Sequence, residues 1–182
     1  MDPALINDPT ILLPNTSSLH KNTLLLDLDE TIVQVLPSEE INLSEARPIH
    51  EEAFSFEMYR GTSQHRRYTV FKRRGLADFL EFASSNFEVV LFTAAKQEYA
   101  EKILAVLDPK GKYFSHSLFR QHCIRTGAGK SGILKSIKQL SNRNQANCIL
   151  VDDNESNFRA NEGNCIRISP MDIADPEEDD EL

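Results

Sequence analysis

Apolar residues in this chain fall into short unbroken runs, separated by stretches where they recur every three or four positions. Residues 23–29, built on "LLL", read as a continuous strand, as do "FEVVLF" (87–92) and "NCILV" (147–151). Such runs suit strands buried on both faces of a parallel sheet. "CIRI" (165–168) reads as a short fourth, and "KYFSHSLF" contains another short strand. Between them, "GLADFLEFASS" places Leu76, Phe79, Leu80 and Phe82 at helical spacing, and "KQEYAEKILAVL" is an amphipathic helix. Ile133, Leu134, Ile137 and Leu140 would form one face of a third helix, capped by Ser131 and carrying Lys135. "FSFEMY" and "RYTVFKR" flank "RGTSQHR", which predicts a β-hairpin with a five- to seven-residue connection. Residues 36–52 hold Pro37, Pro48 and five glutamates and read as irregular. The order strand, helix, strand, helix, strand predicts an α/β fold: a Rossmann-like parallel sheet flanked by helices.

Composition changes this picture little. With 182 residues, 40% hydrophobic and 26% charged, the chain is ordinary for one compact domain. No apolar run approaches the ~20 residues that span a bilayer. The first twenty residues are rich in Pro, Asn, Ser and Thr, with Asp2, Asp8 and no basic stretch, so they read as an extended lead-in and not a secretory signal. Cys123, Cys148 and Cys165 are odd in number and widely spaced, as expected of reduced thiols in a nuclear or cytoplasmic protein. The net charge of -8 belongs to the end of the chain, because residues 172–182 hold seven acids and no base. Residues 21–171 would then be a nearly neutral body, and 172–182 a solvated acidic tail.

The chemistry lies where the strands stop. Asp27 and Asp29 follow "LLL", Thr93 follows "VVLF", and Asp152 with Asp153 follow "CILV". Ligands of open α/β sheets bind beyond the carboxyl ends of the strands, so these residues should converge, with Lys135 reaching the same rim. Four carboxylates, a hydroxyl and an ammonium suit a divalent cation and a phosphate. In a strand, Asp27 and Asp29 would share a face while Leu28 packs inward. Asp27 could then attack phosphorus, and Asp29 could protonate the leaving alcohol and later deprotonate water. Acids in such a pair can also be plain metal ligands or surface turn residues.

"LLLDLDETIV…FEVVLFTAAKQEYA…LFRQHC…ILKSIKQL…CILVDDNESNF" resembles the small phosphatases that act on the C-terminal domain of RNA polymerase II. That nuclear LIM interactor-interacting factor-like family belongs to the haloacid dehalogenase superfamily. The resemblance runs from about residue 22 to 170. It implies Asp27 as nucleophile, Asp29 as acid/base, Thr93 as phosphate-binding hydroxyl and Lys135 as the neutralising cation. It implies Mg²⁺ held by the Asp27 carboxylate, the Asp29 backbone carbonyl and the Asp152–Asp153 pair. Thr31 would brace the substrate-binding loop by a hydrogen bond, and Tyr99 and Arg120 resemble positions lining a peptide groove. The family usually has Asp-Asn where this chain has Asp152-Asp153, so the direct metal ligand is left open between the two. It also usually continues into a final helix where this sequence reads "DDEL".

The resemblance therefore implies a Mg²⁺-dependent phosphoserine/phosphothreonine protein phosphatase. The gaps between the motifs hold only a loop, a hairpin, one helix and one strand, which leaves no room for a large cap. An open site suits a phosphorylated protein, with no nucleic-acid partner, no membrane span and a monomeric state. The basic stretch 60–74, with six Lys or Arg and no acid, could meet an acidic phosphopeptide or simply face solvent. Two other readings stand beside this one. The first is a non-catalytic binding module on the same fold, like a mitochondrial import receptor relative; the second is a small-metabolite phosphatase. "GAGKSG" (127–132) mimics a nucleotide-binding loop, but Ile124 stands where that pattern needs glycine, so it reads as a turn. The five histidines show no metal-ligand spacing.

Overall fold

The computed structural model describes residues 5–7, 9–15, 22–41, 53–60, 64–126, 132–171 and 173. The expected acidic tail apart from Ile173, the Ser131 cap, most of "GAGKSG" and much of the lead-in and of the 36–52 loop lie outside the described residues. In chain order come β1 (Leu5–Asn7), β2 (Thr23–Leu26), β3 (Val33–Pro37), β4 (Phe54–Arg60) and β5 (Gln64–Lys72). Then follow α1 (Leu76–Asn86), β6 (Glu88–Phe92), α2 (Gln97–Leu107), β7 (His116–Leu118) and β8 (Ile124–Thr126). The last are β9 (Ile133–Leu134), β10 (Cys148–Asp152), α3 (Glu155–Ala160) and β11 (Cys165–Arg167).

The central sheet has five parallel strands in the order β11-β10-β2-β6-β7. Its middle strands align Leu150, Leu25 and Val90 side by side. Successive side chains point to opposite faces, and each face has its own core. Leu24, Leu26, Val89 and Leu91 pack with Leu76, Leu80 and Ala83 of α1 and with Ala100, Ile103 and Leu107 of α2. Leu25, Val90, Phe92 and Leu150 pack on the other side with Ile11, Leu13, Ile137 and Leu140. The expected parallel sheet flanked by helices is therefore the observed architecture.

Several local expectations change. The first strand stops at Leu26, not at residue 29, because the chain turns there: Ile32 and Val33 both donate to the Leu28 carbonyl. Leu28 is fully buried as expected, but by that turn and not by strand alternation. Phe82 is 61% exposed, since the buried stripe of α1 runs through Leu76, Leu80 and Ala83 and leaves it to one side. The hairpin strands pair as far as Arg60 with Gln64, so three residues connect them instead of five to seven. Leu36 and Pro37, expected in a loop, end β3, which pairs antiparallel with β5 and makes the hairpin a three-stranded sheet β3-β5-β4.

The largest correction concerns Lys135. No helix forms over residues 133–140: Ile133–Leu134 is a strand paired with β8, and Ile137–Gln139 is a single 3-10 turn capped by Ser136. Ile137 and Leu140 are buried as their spacing suggested. The backbone at Lys135–Ser136, just before that turn, is extended because side-chain amides in and just past α3 satisfy its flanks. Asn157 Oδ1 accepts from the Lys135 N–H at 3.0 Å, and Asn161 Oδ1 from the Ile137 N–H at 2.8 Å. The Asn161 side chain also donates to the Lys135 carbonyl at 2.9 Å. Those contacts replace the ladder a helix would have supplied.

Candidate active site

Beyond the carboxyl ends of β2, β6 and β10 lies a pocket of about 690 Å³, lined by Asp27, Asp29, Met58, Tyr68, Thr93, Ala94, Ala95, Lys96, Tyr99 and Arg120. Asp27 is fixed first by the sheet, through its own N–H donating to Val151 O at 3.0 Å. Its Oδ1 accepts from the Leu28 N–H at 2.7 Å and lies 2.5 Å from Lys135 Nζ. Oδ2 is the oxygen left over. Lys135, 1% exposed, also reaches Asp152 Oδ2 at 2.8 Å.

Asp152 is wholly buried and hydrogen-bonded at both oxygens. Its Oδ1 accepts from the Asn154 N–H at 2.8 Å, and Asn157 Nδ2 donates to both carboxylate oxygens at 3.1 and 3.0 Å. Asp153 is half-buried and accepts from the Thr31 hydroxyl at 3.2 Å. Ligand atoms of Asp27, Asp152 and Asp153 all lie within 4.8 Å of one another, and this is the cluster suited to a metal among the described residues. The carboxylate of Asp29 is not part of it: its Oδ1 accepts from the Tyr99 hydroxyl at 2.6 Å. Only the backbone of Asp29 is left for the metal role the resemblance implied.

Electrostatics follow from burial. Burial pushes the Asp27 carboxyl up, and the neighbouring Asp152 adds to that, against the pull of Lys135. Burial would lower Lys135, yet Asp27 and Asp152 together hold it above its ordinary value. Asp153 is raised by burial and by Asp152. Three carboxylates against one ammonium leave an excess of negative charge. Hard oxygen donors with unmet negative charge fit a divalent cation such as Mg²⁺, whose charge would offset those upward shifts. Asp29 is raised chiefly by burial, in a site where Tyr99 stays a hydrogen-bond donor because burial and the Asp29 charge push the phenol up.

Thr93 sits at the mouth of β6, 1% exposed, with its Oγ1 accepting from the Ala95 N–H at 3.0 Å. That leaves the hydroxyl hydrogen for a ligand. Arg120 donates from Nε to Ala94 O at 2.7 Å and lines the pocket beside Tyr99. Thr31 faces Asp153 and is fully buried, so it braces the loop from below and does not line the pocket. The basic stretch 60–74 is not one cationic surface. Arg66 is paired with Glu39 and Glu40, both at 2.6 Å, while Arg73 is buried and donates to Thr31 O and Ser169 O.

Residue spacing did not reveal Asn157 and Asn161. Two asparagines four apart after "VDDN", Asn157 within α3 and Asn161 just past its end, were the signal available. Met58 and Tyr68, on β4 and β5, were also missed, since they line the pocket through packing of the hairpin against α2 that no local pattern shows. Phe56 stacks on Tyr68 with ring centroids 5.6 Å apart and meets Tyr99 edge-on at 5.8 Å.

The parallel sheet flanked by helices, with acids gathered at its strand ends, defines an α/β fold of haloacid dehalogenase type. A model of the NLI interacting factor-like phosphatase family matches residues 22–182, and the chain belongs to that family. It is 34% identical over 109 residues to CTD small phosphatase-like protein 3 of Caenorhabditis elegans, covering 60% of this chain and 34% of that protein. It is also 34% identical over 102 residues to the mitochondrial import inner membrane translocase subunit TIM50 of Kluyveromyces lactis, covering 56% of this chain and 20% of that protein. The fold is similar to that of the fission yeast RNA polymerase II CTD phosphatase Fcp1 bound to beryllium fluoride. The TM-score is 0.69 at 24% identity, over 84% of this chain and 42% of that one. The chain thus spans about a third or less of the length of these two curated relatives.

Proposed function

We propose that this chain is a Mg²⁺-dependent phosphoserine/phosphothreonine protein phosphatase acting through an aspartyl-phosphate on Asp27. The observation that carries the reading is the placement of Asp27. Its carboxylate lies 2.5 Å from Lys135 and within metal-sharing distance of Asp152 and Asp153, on the floor of an open pocket that also holds Asp29. Asp27, Asp152 and Asp153, with the Asp29 carbonyl, would hold Mg²⁺, which supplies charge stabilisation to the phosphoryl oxygens.

The remaining work falls to the protein. Lys135 pulls Asp27 toward the ionised form needed for attack, and its ammonium offsets charge gathering on the phosphoryl group. Thr93 offers its hydroxyl hydrogen to a phosphoryl oxygen. The free Asp27 oxygen bonds to phosphorus as the phosphorus–oxygen bond to the serine or threonine breaks, and Asp29 gives its proton to that leaving oxygen. Asp29 then takes a proton from water, the water oxygen attacks phosphorus, and inorganic phosphate leaves with Asp27 restored. Tyr99 aims Asp29 throughout. The raised Asp29 suits a group that must begin protonated.

Residues 21–171 would form the catalytic unit, acting as a monomer in the nucleus or cytoplasm. No described helix is long and apolar enough to cross a membrane. The open pocket favours a protein substrate over a small metabolite. The match to an import translocase subunit favours a second reading, a phosphoprotein-binding module without turnover. Phosphate release from p-nitrophenyl phosphate and from phosphoserine peptides, with Mg²⁺ and with a chelator, tests the choice. Mg²⁺-dependent release supports the phosphatase, and its absence from every substrate overturns it.

A further inference from the structure

Lys96 lines the pocket without taking part in the chemistry above, and it is exposed at the entrance of α2. Its backbone is held firmly. The Lys96 carbonyl accepts from the N–H groups of Tyr99 and Ala100, both at 3.1 Å, and the preceding Ala95 carbonyl accepts from the Arg120 N–H at 2.9 Å. The segment from Thr93 to Lys96 is therefore a fixed edge of the pocket, with its small residues Ala94 and Ala95 keeping the floor open.

The ammonium on that edge has no acid to pair with inside the pocket. Of the two pocket carboxylates, Asp27 is engaged by Lys135 and Asp29 by Tyr99. No ion pair of Lys96 occurs among the described residues, whereas Lys112, Arg66 and Arg159 at the surface each meet a glutamate. The walls also differ in kind. Met58 and Tyr68 make the hairpin side largely apolar, and Lys96 with Arg120 makes the α2 side cationic. A space of about 690 Å³ is far larger than a phosphoryl group, so flanking substrate residues must occupy the rest.

We propose that Lys96 selects phosphoprotein substrates carrying a second negative charge, a carboxylate or another phosphate, within a few residues of the phosphate to be removed. The inference deepens the phosphatase reading and rests on it for the word substrate, but its binding part stands alone. A second phosphate should gain more than a carboxylate, since it carries more charge and more acceptor oxygens.

The test uses phosphoserine peptides identical except for the neighbouring residues: neutral, glutamate on either side, a second phosphoserine, or lysine. Affinity is measured on the full Asp27→Asn chain, and turnover on the chain without that change. The glutamate peptides should bind roughly threefold tighter than the neutral one, and the doubly phosphorylated peptide up to roughly tenfold tighter, with the advantage falling as salt rises. Lys96→Met should erase these ratios, Lys96→Glu should invert them, and Lys96→Arg should keep them. Ratios within one protein cancel any change in its folded fraction. Equal ratios before and after Lys96→Met, or no phosphopeptide binding at all, overturn the proposal. Charge-selective binding that depends on Lys96, in a chain that never releases phosphate, supports it while removing the phosphatase reading.

Discussion

The same parallel strands carry a buried charge cluster at each end, and the two clusters are built on opposite rules. At the amino end, Glu88 opens β6 and Thr23 opens β2. The guanidinium of Arg143 meets Glu88 through Nε at 2.7 Å and Nη2 at 2.6 Å, and the Thr23 hydroxyl adds a bond at 2.8 Å. One carboxylate meets one bidentate cation, with His116 Nε2 3.7 Å away. Burial alone would raise Glu88, but the bonds from Arg143 and Thr23 outweigh it and hold the carboxyl below its ordinary value. At the carboxyl end, a single lysine pairs with both Asp27 and Asp152, and Asp153 beside them accepts from the Thr31 hydroxyl. Asp27 and Asp153 are raised. One end is balanced and so stabilises the fold. The other is left acidic, an arrangement that costs stability and would suit a cation and a phosphoryl group.

The contrast can be broken at four points. The largest effect is expected for Asp27→Asn, which should reduce phosphate release to background while the thermal midpoint holds or rises, because a buried charge is removed. Turnover near the original rate would take the nucleophile's role from Asp27. Asp29→Asn should slow turnover by about 10²–10⁴-fold, the usual worth of acid–base help. A loss below about tenfold in steady-state assays would count against Asp29.

At the opposite end the expected damage is to stability. Arg143→Met strips Glu88 of its bidentate cation and leaves it buried with the Thr23 hydroxyl and His116, a cost of up to about 3–5 kcal/mol, read by urea unfolding at neutral pH. Because Glu88 is depressed in the folded chain, its contribution is present above the ordinary carboxylate range and is lost as pH falls through the depressed value. The deficit of Arg143→Met should therefore narrow on acidification. A kcat loss with unchanged stability would show that the two ends are not separate in role.

The smallest effect belongs to Tyr99→Phe. Removing the hydroxyl takes away a bond that lowers Asp29, so Asp29 should rise further. On the proposed mechanism Asp29 starts protonated, so activity should fall as pH rises through its value, and the alkaline limb of kcat/KM should move to higher pH. A limb that stays in place would mean that Asp29 does not set it.

How much of this was written in the sequence differs between the two kinds of information. The strands β2, β6 and β10 were legible because burial on both faces demands unbroken apolar runs, and their ends then located Asp27, Thr93 and Asp152. Lys135 was placed near the right rim for the wrong local reason. Ile133, Ile137 and Leu140 keep the spacing of a helix face, but side-chain amides from α3, more than twenty residues away, dictate an extended backbone instead. No local pattern encodes such a contact. The third strand of the hairpin sheet was hidden likewise, since Pro37 and a run of glutamates mask a strand whose partners come from β5.

Asn157 touches both the Asp152 carboxylate and the backbone of Lys135, and Asn161 clasps the next turn. Lysine and acid are therefore mounted on one bracket, so a shift in either is shared by the other. A descendant that lost those amides could keep its sheet, its helices and even its aspartates while its ammonium swung out of register. Inspecting these two positions would then tell a working catalyst from a look-alike sooner than the acids themselves.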